Sequence, residues 1–288
     1  MPAIDNVIKV LSGGFRIAWF IPLDQDGYFA GATGTLVPGP NNGQAGYFMS
    51  GVKTAAYKAI EPLVLLGTGE DQVQGQIVEP QQTLPSFDIV GSVSDLTLDA
   101  LTQTTAVVAE GNLSFGVIQP YLPAYIDGAL LMQRLSISKD QASQGQGNWD
   151  GVLFPKVKAV PMSSDGMAEK KITDWKRHVI CNPSSILPNG LAITSSNFKT
   201  SNGVEFPFSS PNKAMYYGWK ADGIASVFNL PQSAIPGSGL LAPGYPNVTR
   251  KDGVLVTPTV TLVSTNYQFD FGSVPTAGLR LIAQVEFL

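Results

Sequence analysis

Between residues 60 and 121 the chain repeats one local pattern, a short apolar or alternating run closed by Gly, Pro or Asn. Residues 60–66, 73–79, 87–93, 104–110 and 113–121 each fit this description. Runs of this length match strands and are too short for independent helices. Repeated at such spacing, they predict an antiparallel sandwich or barrel. The punctuation is general, since the 288 residues include 30 Gly and 21 Pro, more than an average chain carries. The expected fold is therefore mainly β, a β-sandwich or barrel with long hairpin loops and one short packed helix. That helix is predicted over residues 94–101, where Ser94 is a plausible N-cap, Asp95 lies in the first turn, and Leu98 and Leu101 are three apart. Residues 52–60 fit either a helix behind Ser50 or a strand. Residues 15–21 read as a buried strand ended by Pro22, and 254–264 and 279–288 as strands near the C-terminus. The whole is expected to form one β-rich domain, with an irregular insertion or surface subdomain at about 182–252.

The most distinctive stretch runs from Gly151 to Asn182. In its first arm Leu153, Val157 and Ala159 alternate with Lys156 and Lys158, as a half-buried strand requires. Ser163-Ser164-Asp165-Gly166 has the chemistry of a turn. The returning arm places Trp175, Val179 and Cys181 on one face and Lys176, His178 and Ile180 on the other. Charged residues make up only 14% of the chain, yet they gather here. Lys156, Lys158, Lys170, Lys171, Lys176 and Arg177 form a local basic excess over Asp165, Glu169 and Asp174. These nine residues are either a solvated hairpin surface or a contact between subunits, in which opposite charges set register more than affinity.

Few of the familiar chemistries fit. His178 is the sole histidine and Cys181 the sole cysteine. Their three-residue spacing on a strand puts them on opposite faces, so they form no dyad. Two ligands fall short of the three or four that zinc takes. Cys181 reads as an inert core thiol, and one cysteine builds no intramolecular disulfide. Asp24-Gln25-Asp26-Gly27 resembles the opening of a calcium loop, but Thr35 stands where the closing Glu belongs, so a turn is expected. No phosphate-binding Gly-x-x-x-x-Gly-Lys motif and no Gly-x-Ser-x-Gly occurs. The net charge of −4 argues against a protein that grips nucleic acid. The N-terminus has neither the basic region nor the apolar stretch of a signal peptide, and the apolar runs are too short for a membrane helix. The expectation is a non-enzymatic protein made in the cytoplasm, without cofactor, metal or membrane partner.

The run 87–93 leading into 94–101, the charged hairpin 151–182 and the apolar end 279–288 together resemble virion structural proteins of tailed bacteriophages. The tail tube family is the nearest likeness. That resemblance implies a β-sandwich protomer forming hexameric rings that stack into a hollow tube. It further implies that the hairpin reaches onto a neighbouring ring and that a negative lumen lets DNA pass without sticking. Its partners would be other copies of itself and other virion proteins. Two further readings stay open. One is a capsid decoration or other virion protein. The other is a carbohydrate-binding module or glycan-active enzyme that displays Trp149, Trp219, Tyr216, Tyr217 or Tyr245 around a cleft.

Overall fold

A computed structural model describes residues 10–12, 17–49, 52–57, 63–66, 76–79, 86–91, 105–110, 113–118, 127–138, 148–161, 175–193, 204–207, 212–244 and 246–288. The fold is mainly β, with antiparallel sheets, one of them curled into a half-barrel, and no α-helix among the described residues. The largest sheet has nine strands. Tyr47–Met49, Ile17–Pro22, Asp127–Ser138, Asn148–Pro161, Trp175–Cys181, Ser86–Gly91 and Val52–Tyr57 lie side by side in that order. Val10–Ser12 adds to Asp127–Ser138, and Val204–Pro207 to Asn148–Pro161. A five-stranded sheet runs Leu255–Val256, Asn247–Arg250, Arg280–Phe287, Lys213–Lys220, Gln44–Ala45. A three-stranded sheet places Asn266–Asp270 between Val227–Pro231 and Thr259–Val263. Two separate hairpins pair Leu63–Leu66 with Gln76–Glu79 and Thr105–Glu110 with Leu113–Ile118.

The strand Ile17–Pro22 shows how the layers form. Its apolar residues are consecutive rather than alternating, which suits a strand covered on both faces. Trp19 and Ile21 enter one core, while Ala18 and Phe20 enter another. Cross-strand partners follow the same division, with Leu131 opposite Trp19 in the first core and Leu130 opposite Phe20 in the second. Gly128 belongs to the second face, where a Cβ would stand 2.3 Å from the Phe20 ring. Only a residue without a side chain leaves the ring that place.

The first core joins the three larger sheets. Trp19 meets Phe287 edge-on at 6.5 Å, and Trp219 packs on Tyr217, Phe228 and Phe269 at 5.0, 6.1 and 5.0 Å. Burying one side chain of this size contributes on the order of 1.5–3 kcal/mol. A polar clip crosses the same interface. The amide of Gln133, fully buried, donates to the Ala214 carbonyl at 3.0 Å and accepts from the Ala214 N–H at 2.9 Å. It thus supplies the backbone of one sheet with the hydrogen bonds that a neighbouring strand would otherwise provide.

The structure settles one expectation left open and changes two. Residues 52–57 are a strand, not a helix, because they complete the edge beside Ser86–Gly91. The apolar run 254–264 is two strands in two different sheets, Leu255–Val256 and Thr259–Val263, parted at the buried Pro258, whose ring cannot donate to a ladder. The regular alternation of Leu153 with Val157 and Ala159 is also broken. Between the pairs Gly128–Val157 and Leu130–Phe154 the longer strand gains one residue, so Pro155 and Lys156 together face Ala129. This bulge reverses the faces, sending Leu153 into the first core and Phe154, Val157 and Ala159 into the second. The helix expected at 94–101 lies outside the described residues.

Candidate functional site

The two arms of the charged hairpin are long strands of the nine-stranded sheet. Asn148–Pro161 and Trp175–Cys181 pair from Val157–Cys181 to Pro161–Arg177. Ser86–Gly91 then pairs with the second arm, placing Asp88 directly opposite His178. Because cross-strand partners share a face, Lys158, Lys176, His178 and Ile180 stand on the side away from the second core, together with Asp88 and Asp127.

Charge on this face is partly paired. Asp127 stands between two lysines, with Lys156 Nζ at 3.8 Å and Lys158 Nζ at 3.7 Å from its carboxylate oxygens. Lys156 and Lys158 are two residues apart on one strand, which places both side chains on the face that carries Asp127. Both are solvent-accessible pairs, of the kind that set geometry more than stability. His178 Nδ1 is 2.7 Å from Asp88 Oδ1, and both side chains are exposed. Lys176 is half-buried on the same face.

Arg177 departs from this company. It lies on the buried side of the strand with Val179 and Cys181 and is 6% exposed. Its Nη1 donates to the Lys176 carbonyl at 2.9 Å, and burial lowers its pKa from the usual arginine value. Arg177 is thus a structural cation inside the sheet, whereas Lys156, Lys158 and Lys176 are accessible ones. Asp165, Glu169, Lys170, Lys171 and Asp174 lie outside the described residues. Cys181 is fully buried in the second core, and burial pushes its thiol up to about 12. The separation of His178 and Cys181 onto opposite faces is as the strand spacing predicts.

A second charged cluster, which the sequence offered only as a turn, ties distant segments together. Asp24 Oδ1 accepts from the N–H groups of Asp26 at 2.8 Å and Tyr28 at 3.0 Å, closing the turn. Its other carboxylate oxygen meets the Arg280 guanidinium. Asp26 pairs with Lys251 at 2.8 Å and with Arg280 at 3.8 Å, while the Tyr28 hydroxyl donates to the Lys251 carbonyl. The hydrogen bond from Lys251, and then its charge, holds the Asp26 carboxyl below the ordinary value. Both acids of the calcium-like stretch are therefore engaged by side-chain cations. No pattern in the sequence links positions 24, 251 and 280.

The aromatic residues considered for a glycan cleft are placed mainly inside. Tyr216, Tyr217 and Trp219 are core residues, and Trp219 Nε1 donates to the Asn229 carbonyl at 2.8 Å. Trp149 is half-buried, with the Lys213 ammonium 5.5 Å from its ring centroid. Tyr245 lies outside the described residues. Comparison with protein-family models, with curated proteins and with solved structures finds no match to this chain.

Proposed function

We propose that this chain is a structural subunit of a virion, whose copies assemble as stacked rings into a tail tube that conducts DNA. The observation that carries the reading is the charged hairpin. Its arms are anchored strands within a two-sided sheet, and they present Lys156, Lys158, Lys176 and His178 beside Asp88 and Asp127 on an accessible face. A mixed-sign surface on a rigid support suits a contact that must fix the rotational register of identical subunits. The sequence likeness to tail tube proteins rests on this same hairpin, on the run 87–93 leading into 94–101, and on the apolar end 279–288. The core positions of Tyr216, Tyr217 and Trp219 leave those rings unable to stack on a sugar, which favours assembly over glycan binding.

Negative-stain electron microscopy of the purified full-length protein, with light scattering on the same sample, tests the reading. Rings or tubes of uniform width with a central hole are the expected result. Deletion of Asp165–Lys170 is expected to leave a folded protomer that no longer stacks. Polymers unchanged by that deletion would remove the hairpin from the assembly contact.

A further inference from the structure

The two edges of the three-stranded sheet are finished differently. Along Val227–Pro231 the outward groups of Asn229 are both occupied, its N–H by the Pro40 carbonyl at 2.9 Å and its carbonyl by Trp219 Nε1 at 2.8 Å. Pro231 closes that strand without a donor. The opposite edge, Thr259–Val263, carries none of the devices that usually protect a free strand. It has no proline, bulge or charge within it, and residues 253–269 contain no charged side chain. Every residue of the strand is exposed except Val260, which is intermediate. Leu262 and Val263 remain 48% and 47% exposed, and Val254 and Leu255 nearby are 56% and 53% exposed.

Hairpin geometry states which backbone groups face outward. Val263 and Asn266 flank the two-residue turn Ser264-Thr265, so they are the hydrogen-bonded pair that closes it. Thr261 with Gln268 and Thr259 with Asp270 continue that set. The N–H and C=O of Val260 and Leu262 therefore turn to the open side. Among the described residues, no hydrogen bond reaches them.

We propose that Thr259–Val263 pairs with the same strand of a second copy, antiparallel and two-fold about Thr261. Outward groups at this spacing are matched only by another extended backbone. The strand is complementary to itself. With Thr261 opposite its own copy, Val260 of each chain faces Leu262 of the other, and the four outward groups of each chain join in four reciprocal hydrogen bonds. The side chains then meet as Val–Leu and Thr–Thr pairs, both favourable across strands. Charge fits as well, because an uncharged edge meets its copy without the like-charge repulsion that a lysine or glutamate there would impose. The contact is independent of the tail-tube reading.

Disulfide trapping in the full-length chain tests the pairing. At the two-fold centre the Cα atoms of a non-hydrogen-bonded pair are about 4.5 Å apart, within disulfide reach. Thr261→Cys is expected to give a covalent dimer on mild oxidation. Thr259→Cys is not, since four residues of offset place that position roughly 13 Å from its copy. The native Cys181 is buried and contributes no background. Without cross-linking, light scattering of the parent chain should read a multiple of 30.6 kDa. Leu262→Lys, and separately Val260→Pro, should abolish the Thr261→Cys dimer. Proline at 260 removes an N–H that the internal ladder does not use, so a folded variant is expected. No dimer from Thr261→Cys, an equal yield from Thr259→Cys, or a yield unaffected by both edge variants overturns the proposal. Rings that form while Thr261→Cys stays uncross-linked would sink self-pairing and leave the tube reading standing. Trapped dimers in a preparation without rings or tubes would do the reverse.

Discussion

Arg280–Phe287 and Thr259–Val263 are both apolar strands near the C-terminus, and their environments are opposite. The first lies between Lys213–Lys220 and Asn247–Arg250, and of its eight residues only Arg280 and Gln284 are not buried. The second has one neighbour and scarcely any cover. β-Branched and aliphatic content makes each a strand, but neither content nor alternation states how many neighbours a strand will have. Burial is a property of position in the sheet. The same distinction separates Arg177, buried beside the second core, from Lys176 one residue earlier.

The sharpest test of this contrast deletes equal amounts of apolar side chain from each strand. Leu281→Ala removes a fully buried leucine from the first core and is expected to cost about 2–5 kcal/mol in urea unfolding. Leu262→Ala on the open edge should stay within about 0.5 kcal/mol when measured in the same way at protein concentrations too dilute for copies to pair. Equal losses under those conditions would mean that the edge strand is covered within the protomer itself. Gln133→Leu should cost about 1–3 kcal/mol, because it strands the Ala214 N–H and carbonyl between two sheets. A neutral result would show that the interface repairs itself.

A smaller change should stabilise. Ser264 has φ of +56°, the single non-glycine residue with positive φ among those described, and it sits in the turn of the edge hairpin. Ser264→Gly is expected to raise the melting temperature by the equivalent of about 0.5 kcal/mol, as glycine adopts this conformation without a Cβ conflict. A lower melting temperature would mean that glycine's extra freedom when unfolded outweighs the relief.

The weakest effect is electrostatic. The Asp26 carboxyl is depressed by the hydrogen bond and charge of Lys251, and that of Asp222 by the backbone N–H groups of Ala225 and Ile224. A folded value below the unfolded 3.8 stabilises above that pH and loses its contribution as pH falls through the lower folded value. The stability difference between the parent chain and Lys251→Met should therefore shrink in acid below pH 3.8. A gap that widens there would exclude the ion pair as its source.

Much of the local structure was legible. The runs at 60–66, 73–79, 87–93, 104–110 and 113–121 each contain or overlap a described strand. Cys181 is the core thiol its apolar surroundings suggested, and Asp24 to Tyr28 is a turn closed by the Asp24 side chain. The central strand Lys213–Lys220 lies within the stretch 182–252 expected to be irregular, because it is a short apolar run among residues rich in Ser, Pro and Asn. Its place in the first core depends on Arg280–Phe287, sixty or more residues away. Residues 52–57 resisted assignment because Ala and Lys suit a helix, while the waiting edge of Ser86–Gly91 makes a strand.

The sequence by itself determined that this chain is built of short antiparallel strands and turns, because side-chain spacing and Gly and Pro punctuation act within a few residues. Only the tertiary structure decided which strands are covered. It also decided that one extra residue at Pro155–Lys156 exchanges two faces of the hairpin, and that Asp24, Asp26, Lys251 and Arg280 meet. These outcomes rest on pairing between segments far apart in the chain. A register shift of one residue reverses every side chain beyond it, and no local pattern records which partner will impose it.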